Sequence, residues 1–104
     1  MSNVKGLLEE FKPKLKNAKG MDGVNATYQF KLADGDDHFY IVFAEGNGNI
    51  AFGETASPDL TLRISEKHLD SLLKGKLNPT MAAMTGKLKI KGDMSLAMKL
   101  QNIL

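Results

Sequence analysis

Two histidines are the first side chains to test for chemistry, because imidazole is the general acid–base group that titrates near neutrality. His38 falls on a polar position of an alternating stretch, and His68 falls in the first turn of a helical one. Neither is accompanied by a nucleophile motif, so both read as surface side chains. Asp34, Asp36 and Glu45 stand at the offsets of the first, third and twelfth positions of a calcium loop. The fifth position would then be His38, and the sixth, which needs glycine for its sharp turn, is Phe39. The strand pattern also runs through the would-be loop, so these acids read as a turn tip. Gly46-x-Gly48 lacks the rest of a dinucleotide fingerprint. Lys87 and Lys91 lie beside glycines without the spacing or hydroxyl of a phosphate loop. The paired acids Glu9-Glu10 read as a solvated helix face. No metal, cofactor or catalytic group is expected.

The remaining chemistry is apolar. Four of the 6 methionines are Met81, Met84, Met94 and Met98. Methionine is flexible and polarisable, and suits a lining that must fit varied guests. It equally fills a plain core, and the residues alone leave both readings open. Gln101 lies one turn beyond Met98 on the same stripe, where a lone amide on a dry face needs a partner. From Met94 to Leu104 the chain is apolar around most of a helix. Such a helix must bury more than one side.

With 104 residues, 42% of them hydrophobic and 25% charged, the chain should fold as a single domain spanning 1–104. Its net charge is only +2, its lysines are scattered, and Arg63 alone supplies a guanidinium. Nucleic-acid binding is therefore not expected. The absence of cysteine excludes disulfides and thiolate chemistry and fits a reducing compartment. No stretch reads as a signal peptide or a membrane span, which leads to the expectation of a cytoplasmic protein.

These groups need elements to position them. Val4, Leu7, Leu8 and Phe11 form a helical stripe, with Ser2 or Asn3 as cap. Pro13 should end that helix near Phe11 and open a second short one carrying Leu15 and Ala18, closed by Gly20. Strict alternation marks strands at Val24–Leu32, around Phe39, Ile41 and Phe43, at Ile50 and Phe52, at Leu60–Ile64 and at Lys87–Lys91. Asp34 to Asp37 and Gly46-Asn47-Gly48 read as turns. The first three strands should form an antiparallel meander. Ser65 can cap a helix carrying Leu69, Leu72 and Leu73 that stops at Gly75. Asn78-Pro79 opens a short helix ended by Gly86, and Asp93 caps the last one. The alternation predicts one dry sheet face, with all the helices packed on it. The fold class is α+β: a five-stranded, mostly antiparallel sheet with helices on one face.

The block Gly86-Lys87-Leu88-Lys89-Ile90-Lys91-Gly92-Asp93-Met94, running into Leu96-Ala97-Met98-Lys99-Leu100-Gln101, resembles the signature of the sterol carrier protein 2 (SCP-2) family. Gly75-Lys76-Leu77-Asn78-Pro79 is similar to that family's loop between helices. Asp59-Leu60-Thr61-Leu62 resembles the strand before them, and Tyr28-x-Phe30 with Leu32 resembles its opening strand. The resemblance implies a hydrophobic tunnel under the helices. It implies reversible, non-catalytic binding and transfer of fatty acids, acyl-CoA, phospholipids or sterols. Asn102-Ile103-Leu104 departs from the terminal tripeptide of peroxisomal members, which leads to the expectation of a compact, free-standing bacterial type.

The lining expected for such a guest is Phe30, Phe39, Ile41 and Phe43 from the sheet. Leu72, Met81, Met84, Leu88, Met94 and Met98 would complete it, with Gln101 at a polar head group. The partner expected is a small hydrophobic ligand, with transient membrane contact at most and a monomer before a dimer. The last helix would be the gate. The alternative is an interaction module whose apolar last helix is a dimer seam, as an accessory to a lipid-metabolising enzyme.

Overall fold

The strand β1 (Ala26–Leu32) is the centre on which the other elements are laid down. The computed structural model describes residues 4–16 and 23–100. β1 pairs antiparallel with β2 (Phe39–Ala44), and β2 with β3 (Asn47–Phe52), giving the expected meander. On its other side β1 pairs parallel with β4 (Leu60–Ile64), and β4 pairs antiparallel with β5 (Leu88–Gly92). The strand order is β3-β2-β1-β4-β5.

Register explains the dry face. Phe52, Phe39, Phe30, Leu62 and Ile90 stand in one row across all five strands, and Ile50, Ile41, Tyr28, Leu60 and Gly92 in the next. Side chains two apart share a face, so these rows and Leu32, Ile64 and Leu88 make one apolar surface. Onto it pack α1 (Val4–Phe11) and the 3₁₀ turn Lys12–Leu15. α2 (Glu66–Leu73), α3 (Pro79–Met84) and α4 (Met94–Leu100) cover the rest. Val4, Leu7, Leu8 and Phe11 are all buried, as their spacing requires. Pro13 opens the 3₁₀ turn that follows α1. The caps foreseen at Ser2 or Asn3, and the roles of Ala18 and Gly20, lie outside the described residues.

Three details differ from the sequence reading. β1 begins at Ala26, two residues after the alternation starts. The β2–β3 turn is Glu45-Gly46, with φ of 54° and 81°. Two positive φ values match a two-residue primed turn, whose twist suits a hairpin. Gly48 therefore belongs to β3, where it faces Phe43. A Cβ on Gly48 would come within 2.9 Å of the Phe43 ring. Gly48→Ala is expected to lower stability by about 1 kcal/mol through overpacking, read as a shift in the urea midpoint with an unchanged slope.

The third difference is Gln29. Its place in the alternation predicts the wet face, yet it is 1% exposed. Its Nε2 donates to the carbonyls of Phe39 at 3.0 Å, Gly53 at 3.1 Å and Phe30 at 3.3 Å, and its Oε1 accepts from Thr55 N at 2.7 Å. The loop after β3 folds over the sheet's outer face, and this amide satisfies its backbone.

Candidate functional site

α3 and α4 both stand over the β4–β5 edge, and the space between them is not filled. α3 is only six residues long, too short to persist without caps and packing. Asn78 Oδ1 accepts from Thr80 N at 2.8 Å and Met81 N at 3.2 Å, and Pro79 occupies the first turn. Thr85 Oγ1 donates to Met81 O at 2.8 Å, and Gly86 at φ 80° turns the chain into β5. The next turn is tighter still. Gly92 has φ 125°, and a Cβ there would meet Asp59 O at 2.7 Å. Asp93 then starts α4, its Oδ1 accepting from Ser95 N at 2.9 Å and Ser95 Oγ at 2.6 Å. Those hydrogen bonds from the Ser95 side chain and backbone hold the Asp93 carboxyl below the usual carboxylate range.

A second tie reaches α4 from the centre of the sheet. The fully buried Tyr28 donates its hydroxyl to Leu96 O at 2.9 Å. Burial pushes the phenol up to about 12, with the charges of Asp93 and Asp59 adding to it. The folded state thus holds the phenolic proton beyond the ordinary value of 10.0, so raising pH from there to about 12 removes stability. Tyr28→Phe is expected to cost about 1 kcal/mol at neutral pH. The gap between the two proteins should shrink across that alkaline window, because the variant has no phenol to titrate. Urea titrations at stepped pH check this, and the lysines cancel in the comparison.

Between these supports lies a cavity of about 280 Å³. Its floor is Leu62, Leu88 and Ile90 from the sheet with Ala97 and Leu100 of α4. Its walls are Pro79, Thr80, Ala83 and Met84 of α3 and Met94 and Met98 of α4. Thr80 is the one lining residue with a polar side chain. At the rim Met84 is 76% exposed, Met98 68% and Met94 58%. The volume is just below the roughly 300–1,000 Å³ of ordinary ligand sites.

Of the candidate lining residues, Met84, Leu88, Met94 and Met98 border this cavity. Phe30, Phe39, Ile41, Phe43 and Leu72 lie instead in the closed core, each 2% exposed or less. Phe30 stacks on Phe39 at 4.7 Å, and Phe43 meets Tyr28 edge-on at 5.5 Å. Met81 is on α3 but faces solvent outside the cavity. Gln101 lies outside the described residues. The sequence reading did not select Leu62, Pro79, Thr80, Ala83, Ile90, Ala97 or Leu100. Leu62 and Ile90 could have been found as cross-strand partners, but only once the β4–β5 register is known.

The histidines serve local structure. His38 Nδ1 accepts from Leu32 N at 3.0 Å, closing the β1–β2 turn. His68 Nδ1 lies 3.0 Å from Ser65 Oγ, the cap of α2. Asp34 Oδ1 accepts from Glu66 N at 3.1 Å. Among the described residues no three His, Asp or Glu side chains gather as a metal site. No helix of the described residues is long and apolar enough to cross a membrane.

The sequence profile of the SCP-2 sterol transfer family matches residues 4–104. The chain belongs to that family. Among its SCP-2 relatives, hydroxysteroid dehydrogenase-like protein 2 of Bos taurus is 41% identical over 105 residues, spanning 95% of this chain and 25% of that protein. The chain spans about a quarter of the length of the first curated relatives it matches. The solution structure of the sterol carrier protein domain 2 of Helicoverpa armigera superposes with a TM-score of 0.73 at 33% identity, covering 97% of this chain and 84% of that one. That of palmitated SCP2L2 from Aedes aegypti gives 0.74 at 26% identity, covering 99% and 94%. The resemblance carried by Gly86 to Gln101 and by Gly75 to Pro79 is thus that of a family member, with the sheet and helices it implied.

Proposed function

We propose that this SCP-2 domain binds and transfers lipids without chemistry, holding an apolar tail in the cavity between α3, α4 and the β4–β5 edge. The observation that carries the reading is that cavity: about 280 Å³, nearly all apolar, with three exposed methionines at its rim. Each methylene withdrawn from water contributes about 0.8 kcal/mol. About twelve buried methylenes give roughly 10 kcal/mol, against association costs of about 4 kcal/mol or more. The balance is a dissociation constant of tens of micromolar, suited to a ligand that must leave again. Discrimination by chain length would be weak, since one methylene changes little.

Met84, Leu88, Met94 and Met98 are the proposed contacts from the original set. Phe30, Phe39, Ile41, Phe43 and Leu72 belong to the closed core and not to its lining, and Gln101 is the residue we assign to a polar head group. A fatty acid is the favoured guest, in line with the palmitated Aedes relative. α4 is the gate, and the exposed methionines are where a membrane is touched as lipid passes. We read residues 1–104 as a single unit, acting in the cytoplasm as a monomer. The dehydrogenase-like name of the Bos taurus relative, of which this chain spans 25%, is in line with a role in presenting lipid to an enzyme.

Native mass spectrometry of gently purified protein should show co-purified lipid, and a fluorescent fatty acid should be displaced by unlabelled palmitate. Absence of both sinks lipid carriage. The exposure of Met81, Met84, Met94 and Met98 also favours a second reading, a seam between two copies. Light scattering separates them: a lipid-free dimer that forms with concentration supports the seam, a lipid-bound monomer the carrier.

A further inference from the structure

A second cavity, also of about 280 Å³, lies where β4, β5, the start of α2 and the α3–β5 link meet. Arg63, Ser65, His68, Lys87 and Lys89 border it. Its cations are set against their own repulsion. Arg63 lies directly opposite Lys89 in the β4–β5 ladder and beside Lys31 in the β1–β4 ladder. Cross-strand neighbours stand about 5 Å apart at Cβ, and like charges so placed are destabilising. Lys31 is relieved by Glu54 at 3.1 Å. Arg63, Lys87 and Lys89 take part in no ion pair among the described residues. Asp34 Oδ1 accepts from Glu66 N, and no ion pair among the described residues joins Asp34 to Arg63, Lys87 or Lys89. Two of the first amides of α2 already have partners, Glu66 N in Asp34 and His68 N in Ser65 Oγ. An anion here would be held chiefly by the Arg63, Lys87 and Lys89 side chains.

We propose that this cavity binds a phosphate group. Three uncompensated cations exceed what one carboxylate balances, whereas a phosphate carries close to two charges near neutrality and presents several acceptor oxygens. The Arg63 guanidinium matches two of those oxygens at once, and the lysines add point charges on flexible stems. Two sources share this chemistry: a free phosphorylated molecule, or the head of an amphiphile. The second is built into the chain path, because Ala83 and Met84 border the apolar cavity while Thr85 and Lys87 border this one. The site stands on its cations and does not depend on lipid carriage.

The test is an NMR titration of the whole chain with inorganic phosphate at low ionic strength. Saturable amide shifts are expected at residues 63–68 and 85–89. Affinity should fall at least tenfold in Arg63→Gln and in Lys89→Gln, and stay unchanged in Lys12→Gln, whose partner is Glu9. These are exposed side chains, so folding should survive. No saturable shift, or equal weakening in all three variants, overturns the site. Dodecyl phosphate and dodecanol, compared below the micelle concentration, then identify the source. A preference for dodecyl phosphate that Arg63→Gln abolishes makes the group a lipid head. Phosphate binding without that preference makes it a free molecule. Phosphate binding with neither dodecyl compound entering the apolar cavity would refute lipid carriage and leave this site standing.

Discussion

Gly92→Ala is expected to destabilise the protein by about 3 kcal/mol or more, and to abolish fatty-acid binding before the sheet unfolds. Two costs combine. Gly92 sits at φ 125°, a conformation that side chains adopt only with about 1–3 kcal/mol of strain. Its added Cβ would stand 2.7 Å from Asp59 O and 3.0 Å from Leu60 Cα, which are backbone atoms that cannot swing aside. Relief requires separating β5 from β4 at the corner where α4 begins, and there Asp93 N donates to Asp59 O at 3.3 Å. α4 would lose its anchor, and the cavity two of its methionine walls. Urea unfolding measures the first effect and displacement of a fluorescent fatty acid the second. Gly35→Ala is the control: Gly35 has open space around it and no positive φ, so a change within about 0.5 kcal/mol is expected. Equal stability of the Gly92 variant would mean that the corner yields more easily than its geometry implies.

Met98→Trp should weaken binding of a long-chain fatty acid about thirtyfold while leaving the unfolding midpoint almost unmoved. Met98 lines the cavity from α4 yet is 68% exposed, so the larger side chain has room to enter without displacing core. An indole there denies the tail about three methylenes of burial, or about 2 kcal/mol. Competition for the fluorescent ligand, with chain lengths varied, is the measurement. The loss should be smaller for short chains, which do not reach so far. Unchanged affinity for every chain length in a folded variant would remove Met98 from the lining.

How far the residues alone reached follows from the range of the forces involved. The caps at Ser65, Asn78 and Asp93 were legible because each is a local exchange between a side chain and an amide two or three residues on. The alternation in β1, β2, β4 and β5 was legible because a one-sided sheet writes itself into every second residue. The parallel β1–β4 pairing was not, since no local pattern records which strand lies beside which. Gln29 read as wet for the same reason: the loop that covers it arrives from residues 53–55. The cavity was half legible. A stripe of methionines announced an apolar lining, but a void lies where side chains are small or absent. The phenylalanines chosen as lining satisfy one another by stacking, and Ala83 and Ala97 leave the space.

The cavity takes every wall except Leu62 from residues 79–100. The stacked aromatic core is supplied by β1 and β2. The chain thus divides into a part that supplies the closed core and a later part that frames the cavity, joined through the β4–β5 ladder and the Tyr28 hydroxyl. Hydrogen exchange should register that division as two levels of protection. Amides of β1 and β2 should exchange only through complete unfolding, and those of α3, β5 and α4 through a smaller opening. Ligand should slow exchange in that second group alone. Such a division would let the cavity open without loss of the fold.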